Sequence, residues 1–275
     1  MADDQQTYVI TGAASGIGWC LADVLVARGE RVVATDIDLT ALAEHAEANA
    51  WPAERTLVRQ LDVRDPKAWA QVLAEAVDTF GNLDVLINNA GYVQPAMFQE
   101  LDPDQVHRHI DVNTKGVIFG TQAAARVMVP QGRGHIINVG SFAALAPIPG
   151  IAVYTGSKYA VRGFSLAVAH ELRPFGVYVS VFSPESVQTP MLDREKQYDE
   201  GAIVFAAPRL LTVDEVAGVI LDRVLGRRRR PLEVYQPRHR GILLRLADLF
   251  PRFGLWVFPM IRRRGLARLQ KLRGQ

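Results

Sequence analysis

Along the chain, short runs of β-branched and aliphatic residues alternate with longer stretches whose apolar positions recur every three to four residues. The runs are YVITG, RVVATD, RTLVRQLDV, LDVLINNAG, GHIINVGS, VYVSVFSP and PLEVYQP. The early ones are almost continuously apolar, as strands are when helices cover both faces of a sheet. Helical spacing fills 16–28, 39–49, 66–80, 103–129, 153–174 and 213–225. Asp65-Pro66, Asp102-Pro103 and Thr212 supply a capping side chain or an N1 proline at three of these starts. The β-α-β alternation predicts an α/β fold, a doubly wound parallel sheet of about seven strands, with short helices added at the C-terminal end.

Within this frame, TGAASGIG follows the first strand and opens the first helix, with glycines at Gly12, Gly16 and Gly18 and with Ser15 and Ile17 between them. Small residues let the backbone approach a pyrophosphate, and the helix N-terminus offers unpaired N–H groups with a partial positive charge. The alternative is a tight turn without a ligand. Asp36 ends the second strand, where a carboxylate accepts hydrogen bonds from an adenosine ribose; it would repel a 2′-phosphate, so the expected cofactor is NAD (NADH). Asp36 or Asp38 could instead cap the next helix. Tyr154 and Lys158 stand four apart in a helical pattern, on one face, where an ammonium can favour ionisation of a phenol whose ordinary pKa is about 10.

These residues together resemble the short-chain dehydrogenase/reductase family, in its group of enzymes of about 250 residues with a Rossmann-type sheet, over roughly residues 7 to 225. The resemblance rests on the glycine turn, Asp62-Val63 after the third strand, NNAG at Asn88 to Gly91, Asn113, Ser141 and the Tyr154/Lys158 pair. It implies that Tyr154 is the general acid and base, and that Lys158 lowers its pKa and holds the nicotinamide ribose. It further implies that Ser141 fixes the reacting oxygen and that Asn113 holds a water of a proton relay. Asp62 and Val63 would flank the adenine, while Asn88, Asn89, Ala90 and Gly91 would line the cofactor or else stabilise the sheet through their amides. Pro184, Val187 and Thr189 would meet the nicotinamide. The chain departs from the family at Glu185, where a glycine is usual; the carboxylate-bearing residue either takes a less favoured backbone conformation or turns toward the substrate.

The composition, 49% hydrophobic and 22% charged in 275 residues, suits one large domain, placed at 1–235, followed by a basic amphipathic extension over 236–275. Residues 1–224 carry 17 Lys/Arg against 27 Asp/Glu, whereas residues 225–275 carry 14 against 2. The lone Cys20 reads as a core thiol in a reducing, cytoplasmic setting, with or without membrane association. His107, His109, His135, His170 and His239 lack ligand spacing, so no metal is expected, and Arg227 to Arg230 comes without a nucleic-acid recognition motif. In the extension, Pro251 and Pro259 are expected to break the chain into short pieces, and its apolar runs are too short to span a bilayer. Basic pieces bearing Trp256 and Phe258 over 240–273 suit peripheral contact with an anionic membrane; packing on the domain or a partner subunit is the alternative. Phe142, Leu145, Ile148, Val153, Met191 and Phe205 are expected to form an apolar pocket, with Glu185 beside it, and Met191 to Leu211 to form a mobile substrate loop. The expected function is oxidation and reduction of a lipophilic secondary alcohol and its carbonyl, such as a steroid, retinoid or long-chain compound, by a homodimer or homotetramer. A non-catalytic NAD-binding scaffold or redox sensor attached to a membrane is the other reading.

Overall fold

The computed structural model describes residues 5–226 and 230–274, so Arg227 to Arg229 of the basic run lie outside the described residues. Seven strands form one parallel sheet: β1 (Thr7–Thr11), β2 (Arg31–Asp36), β3 (Thr56–Gln60), β4 (Val85–Asn88), β5 (Gly134–Val139), β6 (Val177–Pro184) and β7 (Glu233–Gln236). Their spatial order is β3-β2-β1-β4-β5-β6-β7, so the direction of winding reverses between β1 and β4. Such a switch opens a crevice at the carboxyl ends of the strands.

Side chains alternate across the sheet, and both sets are apolar, which is why the strands read as continuous runs. Tyr8, Ile10, Val32, Ala34 and Ile87 meet α1 (Gly16–Ala27) through Leu21 and Leu25 on one face. Val9, Val33, Leu86 and Ile136 meet Trp69 and Leu73 of α3 (Pro66–Phe80) on the other. The remaining helices of the sheet domain are α2 (Leu39–Ala48), α4 (Pro103–Ile110), α5 (Gly116–Gln131), α6 (Ala152–Leu172), α7 (Pro190–Glu195) and α8 (Val213–Val219). The three anticipated helix starts are capped: Asp65 accepts from the Lys67 N–H, Asp102 from the Asp104 N–H, and Thr212 forms a capping box with Glu215.

The stretch expected to be one helix over 103–129 is instead α4 and α5 joined by a π-helical turn, Asp111–Lys115. The wider turn presents two different faces correctly: His109 accepts a hydrogen bond from the Gln94 N–H at 3.1 Å, while Gly120 lies flat against the Trp69 ring.

The C-terminal extension forms two helices, α9 (Arg238–Asp248) and α10 (Pro251–Arg273). Pro251 does start α10, at a position where no N–H is needed, but Pro259 does not break it as the sequence suggests. The second half of α10 is held by tertiary contacts that outweigh the missing hydrogen bond at Pro259. Gly265 rests on the Ala202 carbonyl, Leu269 is fully buried, Arg268 donates to the Pro208 carbonyl at 3.1 Å and Arg273 pairs with Asp199 at 2.6 Å. The 200–206 segment beneath it is a 3-10 helix whose Ala202 and Phe205 are buried with Leu192 and Leu269. The first half of α10 and much of α9 leave Leu243, Leu246, Leu249, Phe250, Leu255, Trp256 and Met260 exposed. Among the described residues, no helix is long and apolar enough to cross a membrane.

Candidate active site

A cleft of about 1160 Å³ runs along the carboxyl ends of the strands. At one end are Gly12, Ser15, Gly16, Ile17, Asp36, Asp62, Val63, Asn89, Ala90 and Gly91; at the middle Ser141, Tyr154, Lys158, Pro184, Val187 and Thr189; at the far end Phe142, Ile148, Glu185 and Met191. Gly12 has φ +68°, a left-handed conformation that turns β1 sharply into the loop, and a Cβ on Gly18 would collide with the Gly12 carbonyl. Gly18 therefore packs behind the turn and does not line the cleft.

The turn fits a dinucleotide. Ser15 at the start of α1 makes no side-chain bond to a first-turn N–H, as is also true at α5, α6, α9 and α10, but only α1 starts from the glycine-lined turn at the cleft. The N–H groups of α1 thus point uncapped into a glycine-lined cradle, as an anion requires. Asp36 accepts from the Ala14 N–H at 3.0 Å and from the Asp38 N–H at 3.0 Å, which fixes its carboxylate at the end of β2 beside the cradle; the cap of α2 is Asp38.

The neighbouring Asp62 and the NNAG turn are held by local bonds. The Asp62 carboxylate is held by Arg64 at 2.6 Å, and this hydrogen bonding keeps it below its usual pKa; an adenine amino group would have to share it. Asn88 faces the interior, donating to Asn138 at 2.8 Å, whereas Asn89 donates to the Thr11 carbonyl at 3.0 Å and braces the glycine turn. Within NNAG, the first amide therefore stabilises the sheet and the second holds the cleft wall.

Tyr154 and Lys158 lie on α6, and Ser141 follows β5. The Ser141 Oγ accepts from the Ala143 N–H at 3.1 Å, which leaves its hydrogen free to donate, and the Ser141 hydroxyl also interacts with the Tyr154 phenol. Lys158 is buried, donates to the Val139 carbonyl at 2.9 Å, and lies 5.7 Å from the Tyr154 ring centroid. Burial lowers the Lys158 ammonium to about 8. It also holds the Tyr154 phenol above its ordinary range, with the charge of Glu195 acting the same way and the Ser141 hydrogen bond opposing both. Asn113, in the π turn, donates to the Tyr92 carbonyl at 2.8 Å and to Ser157 at 3.1 Å, and accepts from the Tyr92 N–H at 2.7 Å. Its side chain ties the strand-end loop to α6 and does not line the cleft.

The expected apolar pocket is only partly realised. Phe142, Ile148 and Met191 line the cleft, but Leu145 packs with Tyr235 and Leu244, Phe205 is sealed under α10, and Val153 is not in the wall. Their places are taken by Leu244, Phe258 and Ile261 from the extension. Glu185 does not adopt a left-handed conformation, nor does it turn freely toward the substrate. Its N–H donates to the Gln236 carbonyl at 2.8 Å, and its carboxylate pairs with Arg240 of α9 at 2.6 Å. Burial raises the Glu185 carboxyl while Arg240 opposes the rise. The wall also includes Glu195, which sequence reasoning left in a charged loop; only its i+3 and i+4 relation to Leu192 and Met191 hints at an inward face.

The family described as short chain dehydrogenase matches residues 6–200. Trans-4-hydroxycyclohexanecarboxylate dehydrogenase of Sinomonas cyclohexanicum is 37% identical over 193 residues, 68% of this chain and 74% of its own length. 3-alpha-(or 20-beta)-hydroxysteroid dehydrogenase of Mycobacterium tuberculosis (strain ATCC 25618 / H37Rv) is 37% identical over 186 residues, 67% of this chain and 70% of its own length. A short chain dehydrogenase/reductase from Burkholderia phymatum, solved in complex with NAD, superposes with a TM-score of 0.80 at 25% identity, covering 92% of this chain and 95% of the other. With the sheet order, the glycine turn and the family match in agreement, the chain belongs to the short-chain dehydrogenase/reductase family of NAD(P)-binding oxidoreductases.

Proposed function

We propose that the protein is an NAD(H)-dependent enzyme that interconverts a lipophilic secondary alcohol and its ketone. The observation that carries this reading is the shared cleft: the dinucleotide cradle opens, past Ser141 and Tyr154, onto a wall of Phe142, Ile148, Met191, Phe258 and Ile261. Asp36 at the ribose position favours NAD, since a 2′-phosphate would meet its charge with no cation beside it on Ile37 or Asp38. Arg64, the nearby cation in the cleft, is engaged by Asp62.

In this reading Gly12, Ser15, Gly16 and Ile17 hold the pyrophosphate, Asn89, Ala90 and Gly91 flank the ribose, and Pro184, Val187 and Thr189 the nicotinamide. NADH bound there supplies a hydride, and NAD+ accepts one. Ser141 donates to the carbonyl oxygen and fixes its position, and Tyr154 delivers the proton to that oxygen in reduction or removes it in oxidation. Lys158 orients the nicotinamide ribose and sets the local potential; Asn113 holds Ser157 and Tyr92 so that α6 and the cleft wall keep their spacing. NADH consumption with a panel of hydrophobic ketones tests the proposal, with Tyr154→Phe as the control; equal rates for the two proteins would defeat it.

Exposed Leu249 and Phe250 between the two helices and Leu255, Trp256 and Met260 on α10, with Arg252, Arg262, Arg263 and Arg264 also on α10, support a second element of this reading: peripheral contact of the α9–α10 elbow with an anionic bilayer. Phe258 and Ile261 join this surface to the cleft, a route by which a lipophilic substrate enters from the bilayer. Co-sedimentation with phosphatidylserine vesicles is expected for the full chain and lost in Leu255→Ser/Trp256→Ser; unchanged partitioning removes the idea. Light scattering reads the alternative, in which the same face joins two subunits.

A further inference from the structure

Glu195 closes α7 in a row of charged residues, yet it points the other way from its neighbours. Asp193 and Arg194 are exposed, while Glu195 is 7% exposed, on the face that also carries Met191 and Leu192. Leu192 fills the core under α10, and Met191 and Glu195, one turn apart, face the cleft. Among the described residues, the Glu195 Oε2 has no hydrogen-bond partner. Of the cations that line the cleft with it, Arg240 is paired with Glu185, Arg64 with Asp62, and Lys158 donates to the Val139 carbonyl, while Arg194 is exposed and no ion pair joins it to Glu195 among the described residues. An acid that served the fold would have a partner here, and leucine would fill an apolar wall better.

Burial alone pushes the Glu195 carboxyl up to about 8, which favours its protonated form. In that form it offers one O–H donor and one acceptor oxygen inside the substrate end of the cleft, close enough to Tyr154 for its charge to act on the phenol. Ionised, it would oppose formation of the Tyr154 phenolate; protonated, it leaves the acid–base pair undisturbed.

We infer that Glu195 is a specificity-determining residue that hydrogen-bonds a second, uncharged hydroxyl or keto oxygen on the substrate. The inference rests on the reading of the cleft as the site of a lipophilic ketone or alcohol and narrows it to substrates with two oxygens: one reacts between Ser141 and Tyr154, the other satisfies the Glu195 carboxyl. A site built to pair a buried polar group discriminates against the analogue that leaves it unpaired.

The test compares wild type, Glu195→Gln and Glu195→Leu on matched bicyclic ketones that differ by a single hydroxyl, decalone against hydroxydecalones, with NADH. Wild type is expected to favour one hydroxylated ketone by about tenfold in kcat/KM, the equivalent of one net hydrogen bond. Glu195→Gln, which still donates, keeps that preference within about threefold, while Glu195→Leu abolishes it, the loss falling on KM for the hydroxylated ketone. Ketone binding is read separately by quenching of NADH fluorescence in the ternary complex. Binding that discriminates without turnover would overturn the catalytic reading and support the role of Glu195; turnover in which Glu195→Leu still discriminates, or in which wild type does not, would overturn the role and leave the reaction standing. If Glu195→Leu does not fold, Glu195→Met is measured in its place with the same expectations.

Discussion

The two ends of the cleft are made of different material. The cofactor end is backbone: a left-handed Gly12, a Gly18 pressed on the Gly12 carbonyl, and the uncapped N–H groups of α1. The substrate end is side chains borrowed from far along the chain: Glu185 and its partner Arg240, Glu195, Leu244, Phe258 and Ile261. Backbone geometry constrains which residues are allowed at fixed, short spacings, so the same solution serves any substrate. Side chains brought together by tertiary packing carry no such spacing rule, and they are free to set specificity.

The sharpest way to separate the two ends is to remove the group between them. Tyr154→Phe should lower kcat by about a hundredfold to ten-thousandfold while NADH and ketone still bind, as read by stopped-flow absorbance and fluorescence quenching. A variant that lost binding as well would mean that the ends are coupled through the phenol. Gly18→Ala strikes the cofactor end alone. Its methyl must displace the Gly12 carbonyl, so about 1–3 kcal/mol of stability should go, with NADH affinity weakened by about tenfold. Titration calorimetry and thermal melts check both.

The substrate end has its own pH signature. Glu195 is about 8 when folded against 4.5 as a free side chain, so the folded state retains a proton that the unfolded chain releases between these values. Its stabilising effect is complete below 4.5 and is lost as pH rises to about 8. Tm of Glu195→Gln should therefore gain on wild type from pH 4.5 to about 8 and run parallel above it. Lys158 gives the opposite slope, because its folded value of about 8 lies below the 10.5 of the free side chain: stability recovers as pH rises from about 8 toward 10.5. The smallest expected effect belongs to Glu185→Gly, which frees Arg240. A partly exposed ion pair contributes up to about 1 kcal/mol, so KM for the ketone should rise by no more than about fivefold with NADH affinity unchanged. Unchanged kinetics for every substrate would remove Glu185 from the substrate end.

This division also explains what could be read before the fold was known. Gly12, Gly16, Ser141, Tyr154 and Lys158 sit at short, fixed offsets within single strand-loop-helix units, so sequence spacing already places them in the cleft. The same repetition of units announced a doubly wound parallel sheet, while the order of its strands came from the fold. Phe205 and Leu145 were misassigned because an apolar side chain announces burial without saying in which cavity, and both belong to the packing beneath α9 and α10. Glu195 was hidden by its surroundings: in DREKQYDE one inward acid looks like its solvated neighbours until the helix is built. Pro259 misled because local propensity favours a break there, whereas α10 is held from outside itself by Ala202, Pro208 and Asp199.

The π turn at Asp111–Lys115 behaves as a single residue inserted into a helix without interrupting it. Each residue of a regular helix advances the rotation by about 100°. A one-residue deletion within 111–115 would therefore make the helix more regular and the protein worse. It would put α4 and α5 out of phase, so that His109 and Gly120 could no longer face Gln94 and Trp69 together. Shortening this helix is thus a change that secondary-structure propensity would welcome and the fold would reject.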